Sequence, residues 1–271
     1  MTPGMPVRRL PLRRWSRALA ILLLFILCVS TPAPSRAVIG GEELTMRHHV
    51  TKYVVGIRYE DEEGAKDICS GAIIGPSLVL TAAHCVSKSL ASMSVVFGDS
   101  MRPDRAVAEL AVAAVRFHNP YGLAVIRTKD PLPAVARHVQ LAARLFPVSE
   151  IPTANVVGYG AIGVGRDGKP VGQGQLHSAI AHRAAGEAYP YVRDTEIPVD
   201  QSKGTGVCFG DRGAPMLVEN KDGYILIGVA STFFEAQDLR NPCGGITTFV
   251  NVHAFEEWII QQAFEMMQLH K

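Results

Sequence analysis

The sequence predicts an all-β globular protein whose chain closes with one α-helix. The 271 residues are 48% hydrophobic with a mean hydropathy of +0.14, which is typical of globular and not of disordered chains. Short apolar, β-branched segments such as residues 52–59 alternate with turns such as Lys221-Asp222-Gly223, whereas residues 251–267 carry a helical apolar period. The length allows one domain with a large core or two small barrels.

Residues 1–37 have the features of a signal peptide. A basic region ends at Arg17, and residues 18–30 form an unbroken apolar run of 13, short of the roughly 20 that a spanning helix needs. Small residues at Ser35 and Ala37 predict cleavage before Val38. We therefore expect a secreted or periplasmic protein with no membrane segment after cleavage; an uncleaved N-terminal anchor is the alternative.

The charge of the body differs from that of the whole chain. The formal net charge is +2, but residues 1–37 hold six arginines and no acid, so 21 basic and 25 acidic residues remain and the sum becomes −4. A mildly acidic body gives no reason to expect nucleic acid as a partner.

Cysteine usage predicts disulfides and no metal site. Once Cys28 leaves with the signal, four cysteines remain, and an even number in an exported chain predicts two disulfides in one of three pairings: Cys69, Cys85, Cys208 and Cys243. A structural zinc site would need a close C-x2–4-C pair, which the sequence lacks.

Two further patterns are set aside. Residues 60–64 are acidic but lack the alternating spacing of a calcium loop, so they predict a solvated hairpin tip. Residues 158–163 match the dinucleotide-binding fingerprint G-x-G-x-x-G. We do not expect a dinucleotide site, because no helical pattern follows and no acid lies about 20 residues on. No cofactor is expected.

Three short motifs carry a resemblance. Residues 81–85 read Thr-Ala-Ala-His-Cys, residues 208–215 read Cys-Phe-Gly-Asp-Arg-Gly-Ala-Pro, and residues 38–41 read Val-Ile-Gly-Gly. Together they resemble the chymotrypsin/trypsin family of serine proteases over about 38–260. The resemblance implies two antiparallel Greek-key β-barrels with a cleft between them. It places the N-terminal barrel at about 38–145, the C-terminal barrel at about 146–253 and the final helix at about 254–269.

The resemblance also implies a damaged catalytic triad. His84 takes the place of the general base, while Arg212 stands where the family has its serine. The segment 119–127 places Gly122 at the aspartate position, and no acid occurs from 110 to 129. Asp99, Asp104 and Asp130 are candidates only if this register is badly wrong.

Other parts of the family's machinery are implied to remain. The resemblance pairs Cys69 with Cys85 and Cys208 with Cys243. It sets the freed amine of Val38 beside Asp211, which would let the N–H groups of Gly210 and Arg212 converge as an oxyanion-type niche. Arg212 then either attracts a carboxylate or a C-terminal peptide end, or folds onto Asp211 or another acid and plugs the cleft.

The specificity pocket is implied by three positions. Gly206, six residues before Arg212, offers no acid for a basic side chain. Phe233 aligns with a small wall residue of the family and would fill the pocket, and Gly245 suits the opposite wall.

Two function classes follow. The first is a catalytically inactive protease homologue that binds a protein or peptide as a decoy, regulator or adaptor. The second is an active endopeptidase with an unrecognised nucleophile and carboxylate, for which Ser70, Ser202 and Ser231 are the available hydroxyls. We favour the first, because none of these serines lies in the Gly-Asp-x-Gly context that presents a nucleophile beside the oxyanion donors.

Overall fold

The computed structural model describes most of the chain from Gly40 on. The described residues are 40–60, 63–87, 89–118, 122–142, 146–165, 167–184, 194–234 and 243–268. The predicted signal peptide and Val38 lie outside them, and the side chain of Phe233 is likewise not described.

Six antiparallel strands close into a first barrel in the order β2-β3-β4-β7-β6-β5. Lys66 at the start of β3 pairs with Glu60 at the end of β2, so these two strands form a hairpin; residues 61–62 of the acidic segment lie outside the described residues. The strands are β2 Val54–Glu60, β3 Lys66–Gly75, β4 Leu78–Ala82, β5 Ser94–Phe97, β6 Ala108–His118 and β7 Leu123–Thr128.

The strands of this barrel are apolar on both faces because each face meets a different core. In β4, Val79 packs with Val55 and Ile126 in one buried cluster. Leu78 and Leu80 belong to another cluster, whose members come from both sheets of the protein. Neighbouring residues of a strand point to opposite faces. The apolar side chains on one face therefore fill the barrel, and those on the other face pack against the second sheet.

The second sheet has eight strands, in the order β1-β12-β9-β14-β15-β16-β13, with β8 parallel to β15. A single bridge between Arg183 and Val199 joins the end of β12 to β13 and so links the two sides of this sheet. Its strands are β1 Glu42–Glu43, β8 Gln140–Leu141, β9 Thr153–Gly158, β12 His177–His182, β13 Glu196–Asp200, β14 Pro215–Asn220, β15 Gly223–Phe234 and β16 Ile246–Asn251; a separate hairpin comprises β10 Gly163–Val164 and β11 Pro170–Val171.

One α-helix, α1 (Glu256–Gln268), ends the described chain. Ile259 and Met266 are buried, and the His118 ring of β6 contacts Trp258 at 5.0 Å between centroids, so α1 packs against the first barrel. Short 3₁₀ helices span His49–Tyr53, Ala83–Cys85, Leu90–Ser92, Val148–Glu150 and Val252–Phe255. Among the residues described here, no helix has both the length and the apolar character to cross a membrane.

Both disulfides have the pairing that the resemblance implied. Cys69 in β3 is bonded to Cys85, and Cys208 is bonded to Cys243. The first joins the strand β3 to the residue after His84, and the second joins the Arg212 loop to the segment before β16.

Candidate active-site cleft

His84 lies in a 3₁₀ turn directly after β4. The Ala83 N–H donates to the Gly122 carbonyl oxygen at 2.6 Å, which ties the His84 turn to the start of β7. The disulfide of Cys85 fixes the other side of the turn to β3. His84 is exposed.

Gly122 lies beside the imidazole. A Cβ atom added to Gly122 would lie 3.8 Å from His84 Cε1 and 3.6 Å from Ser231 Oγ, which are ordinary contact distances. A side chain at this position would therefore extend between the imidazole and the Ser231 hydroxyl. The φ of Gly122 is 65°, in the left-handed region that glycine adopts freely and that aspartate and asparagine adopt more readily than most other residues.

The loop that carries Arg212 is fixed through its backbone. The Arg212 carbonyl oxygen accepts from the Ser70 N–H at 2.9 Å, and the Gly213 N–H donates to Ala230 at 2.8 Å. A Cβ on Gly213 would lie 2.1 Å from Thr81 Oγ1, so only glycine fits there. These contacts do not involve the Arg212 side chain, which is exposed.

The guanidinium of Arg212 and the imidazole of His84 interact electrostatically. Burial, and then the positive charge of Arg212, lower the pKa of His84 below its ordinary value. A carboxylate behind the imidazole would act in the opposite direction, because it stabilises the protonated ring. His84 is therefore neutral at neutral pH.

Asp211 is fully buried next to the exposed Arg212. Its carboxylate accepts from the Gly160 N–H at 2.8 Å and from the Cys208 N–H at 2.9 Å. Burial raises the pKa of Asp211 to about 7, against the lowering effect of these two hydrogen bonds.

The glycines around Tyr159 accommodate this carboxyl group. A Cβ on Gly158 or Gly160 would lie 2.1 or 2.3 Å from an Asp211 atom. The apparent dinucleotide motif is thus a strand end shaped by Asp211.

Gln201 lies between Gly206 and Gly245, the two residues predicted as walls of the specificity pocket, and sequence reasoning did not identify it. Its side chain is 1% exposed. The Gln201 N–H donates to the Gly245 carbonyl oxygen at 3.1 Å, and a Cβ on Gly206 would lie 2.3 Å from Gln201 Oε1. The residue therefore lies against both predicted walls. In sequence it belongs to the polar run Asp-Gln-Ser-Lys-Gly, which gives no signal of burial.

The three alternative serines lie in different surroundings. Ser70 Oγ is buried and accepts from the Tyr159 N–H at 2.9 Å. Ser202 is exposed and donates its N–H to Asp200. Ser231 is the one that approaches the His84 and Gly122 region.

Comparison with known proteins assigns the family. The trypsin family model matches residues 38–259. The chain belongs to the trypsin family. Trypsin eta of Drosophila erecta is 27% identical over 90% of this chain and 96% of its own, and cathepsin G of Mus musculus is 26% identical over 89% and 90%.

Solved structures confirm the trypsin-like fold. HL collagenase superposes with a TM-score of 0.68 at 21% identity, over 83% of this chain and 98% of its own. The structure of GrC superposes with a TM-score of 0.66 at 21% identity, with the same coverage. The all-β architecture predicted from the sequence is therefore correct.

The first prediction concerns the charge beside His84. Replacing Arg212→Gln removes the guanidinium and should raise the pKa of His84, measured by NMR titration of its Cε1 proton. Arg137→Gln, which removes a charge that acts on Tyr53, is the matched control and should leave that pKa unchanged. An unchanged His84 pKa in the Arg212 variant would contradict the placement of the guanidinium beside the imidazole.

Proposed function

We propose that this trypsin-family protein is exported, does not hydrolyse peptides, and acts by binding a protein or peptide in its cleft. The observation that carries the proposal is the surroundings of His84. The guanidinium of Arg212 acts on the imidazole electrostatically, and Gly122, which lies beside the ring, has no side chain. The two disulfides support export, since such bonds persist mainly in oxidising compartments.

Acyl transfer by this fold needs three coupled groups. A hydroxyl attacks, an imidazole takes its proton, and a carboxylate holds the imidazole in the right tautomer. Arg212 cannot attack because its guanidinium stays protonated and has no available lone pair. Losing a triad nucleophile costs about 10^6 in kcat, and losing the carboxylate costs about 10^4.

An active enzyme with a substitute serine is the weaker alternative. Ser70 Oγ is engaged by the Tyr159 N–H, and Ser202 lies on an exposed turn. Ser231 is close to Gly122, but it belongs to β15 and not to the loop whose N–H groups would stabilise an oxyanion.

The cleft suits an anionic ligand group. A neutral imidazole and an exposed guanidinium lie beside the loop 210–213, where we propose that the N–H groups of Gly210 and Arg212 form the oxyanion-type niche. A carboxylate matches this set of donors, because arginine binds it through two parallel hydrogen bonds. We infer that the ligand presents a carboxylate, such as the C-terminus of a peptide.

Catalytic repair tests the inactive state. Protein beginning at Val38 should not be labelled on serine by a fluorophosphonate. Arg212→Ser alone should stay about 10^4-fold below an intact triad, whereas Arg212→Ser with Gly122→Asp should recover most of that factor in peptide-ester hydrolysis. Arg212→Ser with Gly122→Asn is the matched control, because asparagine has the shape of aspartate without its charge.

Two results would count against the inactive state. Stoichiometric labelling of one serine in the unmodified protein, abolished by His84→Ala, would show a working nucleophile. Full activity of Arg212→Ser alone would show that Gly122 does not stand at the vacant carboxylate position.

Ligand titration tests the binding proposal. N-acetylglycine should shift the His84 NMR signals, while N-acetylglycinamide, which has no carboxylate, should not. Arg212→Gln should weaken N-acetylglycine binding by about 10-fold, which is the usual effect of losing one charge-assisted hydrogen bond. The affinity of Arg212→Lys should lie between those of the unmodified protein and of Arg212→Gln. Equal shifts by the acid and the amide would exclude a carboxylate site.

We also propose that the Val38 amine is the counter-charge of Asp211. With a pKa of about 7 against an ordinary 3.8, Asp211 holds its proton in the folded protein after the unfolded chain has lost it. Stability then falls as pH rises from about 4 to 7, by up to about 1.4 kcal/mol per pH unit. A positive amine beside the carboxylate would remove this fall.

Two forms of the protein, with different N-termini, distinguish an unpaired Asp211 from an Asp211 that is paired with the Val38 amine. Urea unfolding at pH 5 and pH 7 should show the fall in protein that retains residues 36–37 and not in protein that begins at Val38. Asp211→Asn should abolish the difference between them. The same pH dependence in both chains would rule out the pairing.

A further inference from the structure

The side chain of Gln201 makes a complete set of hydrogen bonds. Nε2 donates to the Val207 carbonyl oxygen at 3.0 Å and to the Cys243 carbonyl oxygen. Oε1 accepts from the Val207 N–H at 2.7 Å and from Thr247 Oγ1 at 3.1 Å. Both donors and both acceptor sites of the amide are used. The orientation of the amide is unambiguous, because only Nε2 can meet the two carbonyl groups.

These bonds join the two sides of the predicted pocket. Val207 belongs to the irregular segment that leads to Arg212, while Cys243 and Thr247 belong to the segment on the other side of the disulfide. The backbone of Gln201 is bonded to Gly245 on that same side. The Gln201 side chain therefore fills the space between the walls and also holds them at a fixed separation.

Gly206 shows how closely the space is filled. A Cβ at this position would lie 2.3 Å from Gln201 Oε1 and 2.5 Å from Gln201 Cδ. Real Cβ atoms do not approach other atoms so closely, so the glycine is required by the amide packed on it. Gln201 packs so closely against the predicted pocket wall at Gly206 that no space is left there for a ligand side chain.

We propose that Gln201 is the specificity-determining residue of the cleft: it stands where a ligand's side chain would enter, and restricts the ligand to glycine or alanine at that position. The inference rests on the proposed function, because it concerns the peptide whose carboxylate lies at Arg212. Val207, which is bonded to Gln201, precedes Arg212 by five residues. In the proposed binding mode, a C-terminal carboxylate at Arg212 directs the side chain of the last residue to this pocket.

Binding of propionamide tests whether Gln201 closes the predicted pocket, and it does not involve the carboxylate site proposed at Arg212. Propionamide has the atoms of the glutamine side chain beyond Cα, so Gln201→Gly should bind it and gain thermal stability in its presence. The unmodified protein should not bind propionamide. Two control variants should not bind it either: Gln201→Glu, which keeps the side-chain volume, and Gln140→Ser, which truncates an exposed glutamine. Absence of propionamide binding by a folded Gln201→Gly protein would overturn the proposal. If that variant does not fold, Gln201→Ala is tested in its place with acetamide, which has the atoms of the glutamine side chain beyond Cβ, and its failure to bind counts equally.

The identity of the ligand's last residue is tested next. The unmodified protein should bind N-acetylglycine at least about 10-fold more tightly than N-acetylglutamine, and Gln201→Gly should reverse this order with little change for N-acetylglycine. If N-acetylglycine binds and the order does not reverse, Gln201 does not set the specificity. If no form binds either acid while propionamide still enters Gln201→Gly, the carboxylate site of the proposed function fails and the closure of the pocket stands.

Discussion

The buried carboxylate of Asp211 is the interaction on which the cleft depends. It has no accessible surface, and two backbone N–H groups hold it from opposite segments of the chain, at Gly160 and at Cys208. An ionised carboxylate in such a place is costly unless its hydrogen bonds are complete. Asp211 is buried and the next residue, Arg212, is exposed. The backbone of this loop is held by the bonds of the Asp211 carboxylate, of the Arg212 carbonyl and of the Gly213 N–H.

This arrangement separates the stability of the loop from its chemistry. The contacts that fix residues 211–214 run through backbone atoms, such as the Arg212 carbonyl bonded to Ser70 and the Gly213 N–H bonded to Ala230. Exchange of the side chain at position 212 leaves all of them in place. The glycines at 160 and 213 cannot change as freely, since a Cβ at either would collide with a neighbouring atom. A protein of this fold can therefore lose a nucleophile and keep the geometry around it.

The sequence predicted the architecture well and the pocket poorly, for physical reasons. Short apolar, β-branched segments separated by turns predicted the all-β fold, and the family resemblance implied both disulfide pairings. Gln201 was missed because burial of a polar side chain is decided by its partners, which here include residues more than 40 positions away along the chain, and a single stretch of sequence holds no record of them. The reason for the glycines of the G-x-G-x-x-G pattern, which is contact of Gly158 and Gly160 with Asp211, became visible only in three dimensions. The expectation that Phe233 fills the pocket stays a prediction, because its side chain is outside the described part of the chain.

The charged neighbour of the imidazole shifts its pKa in the opposite direction to that in a working triad. In a triad, a carboxylate behind the imidazole raises the proton affinity of the ring and makes it a base. In this protein, burial and the Arg212 guanidinium lower the pKa of His84, so the ring gives up its proton more readily and carries no charge at neutral pH. The cationic group of the cleft is then a guanidinium that cannot be titrated in the physiological range. An imidazole whose proton affinity is lowered, beside a fixed positive charge, is a weak general base. The same fixed charge is suited to hold an anion, which is the property that the proposed carboxylate binding requires.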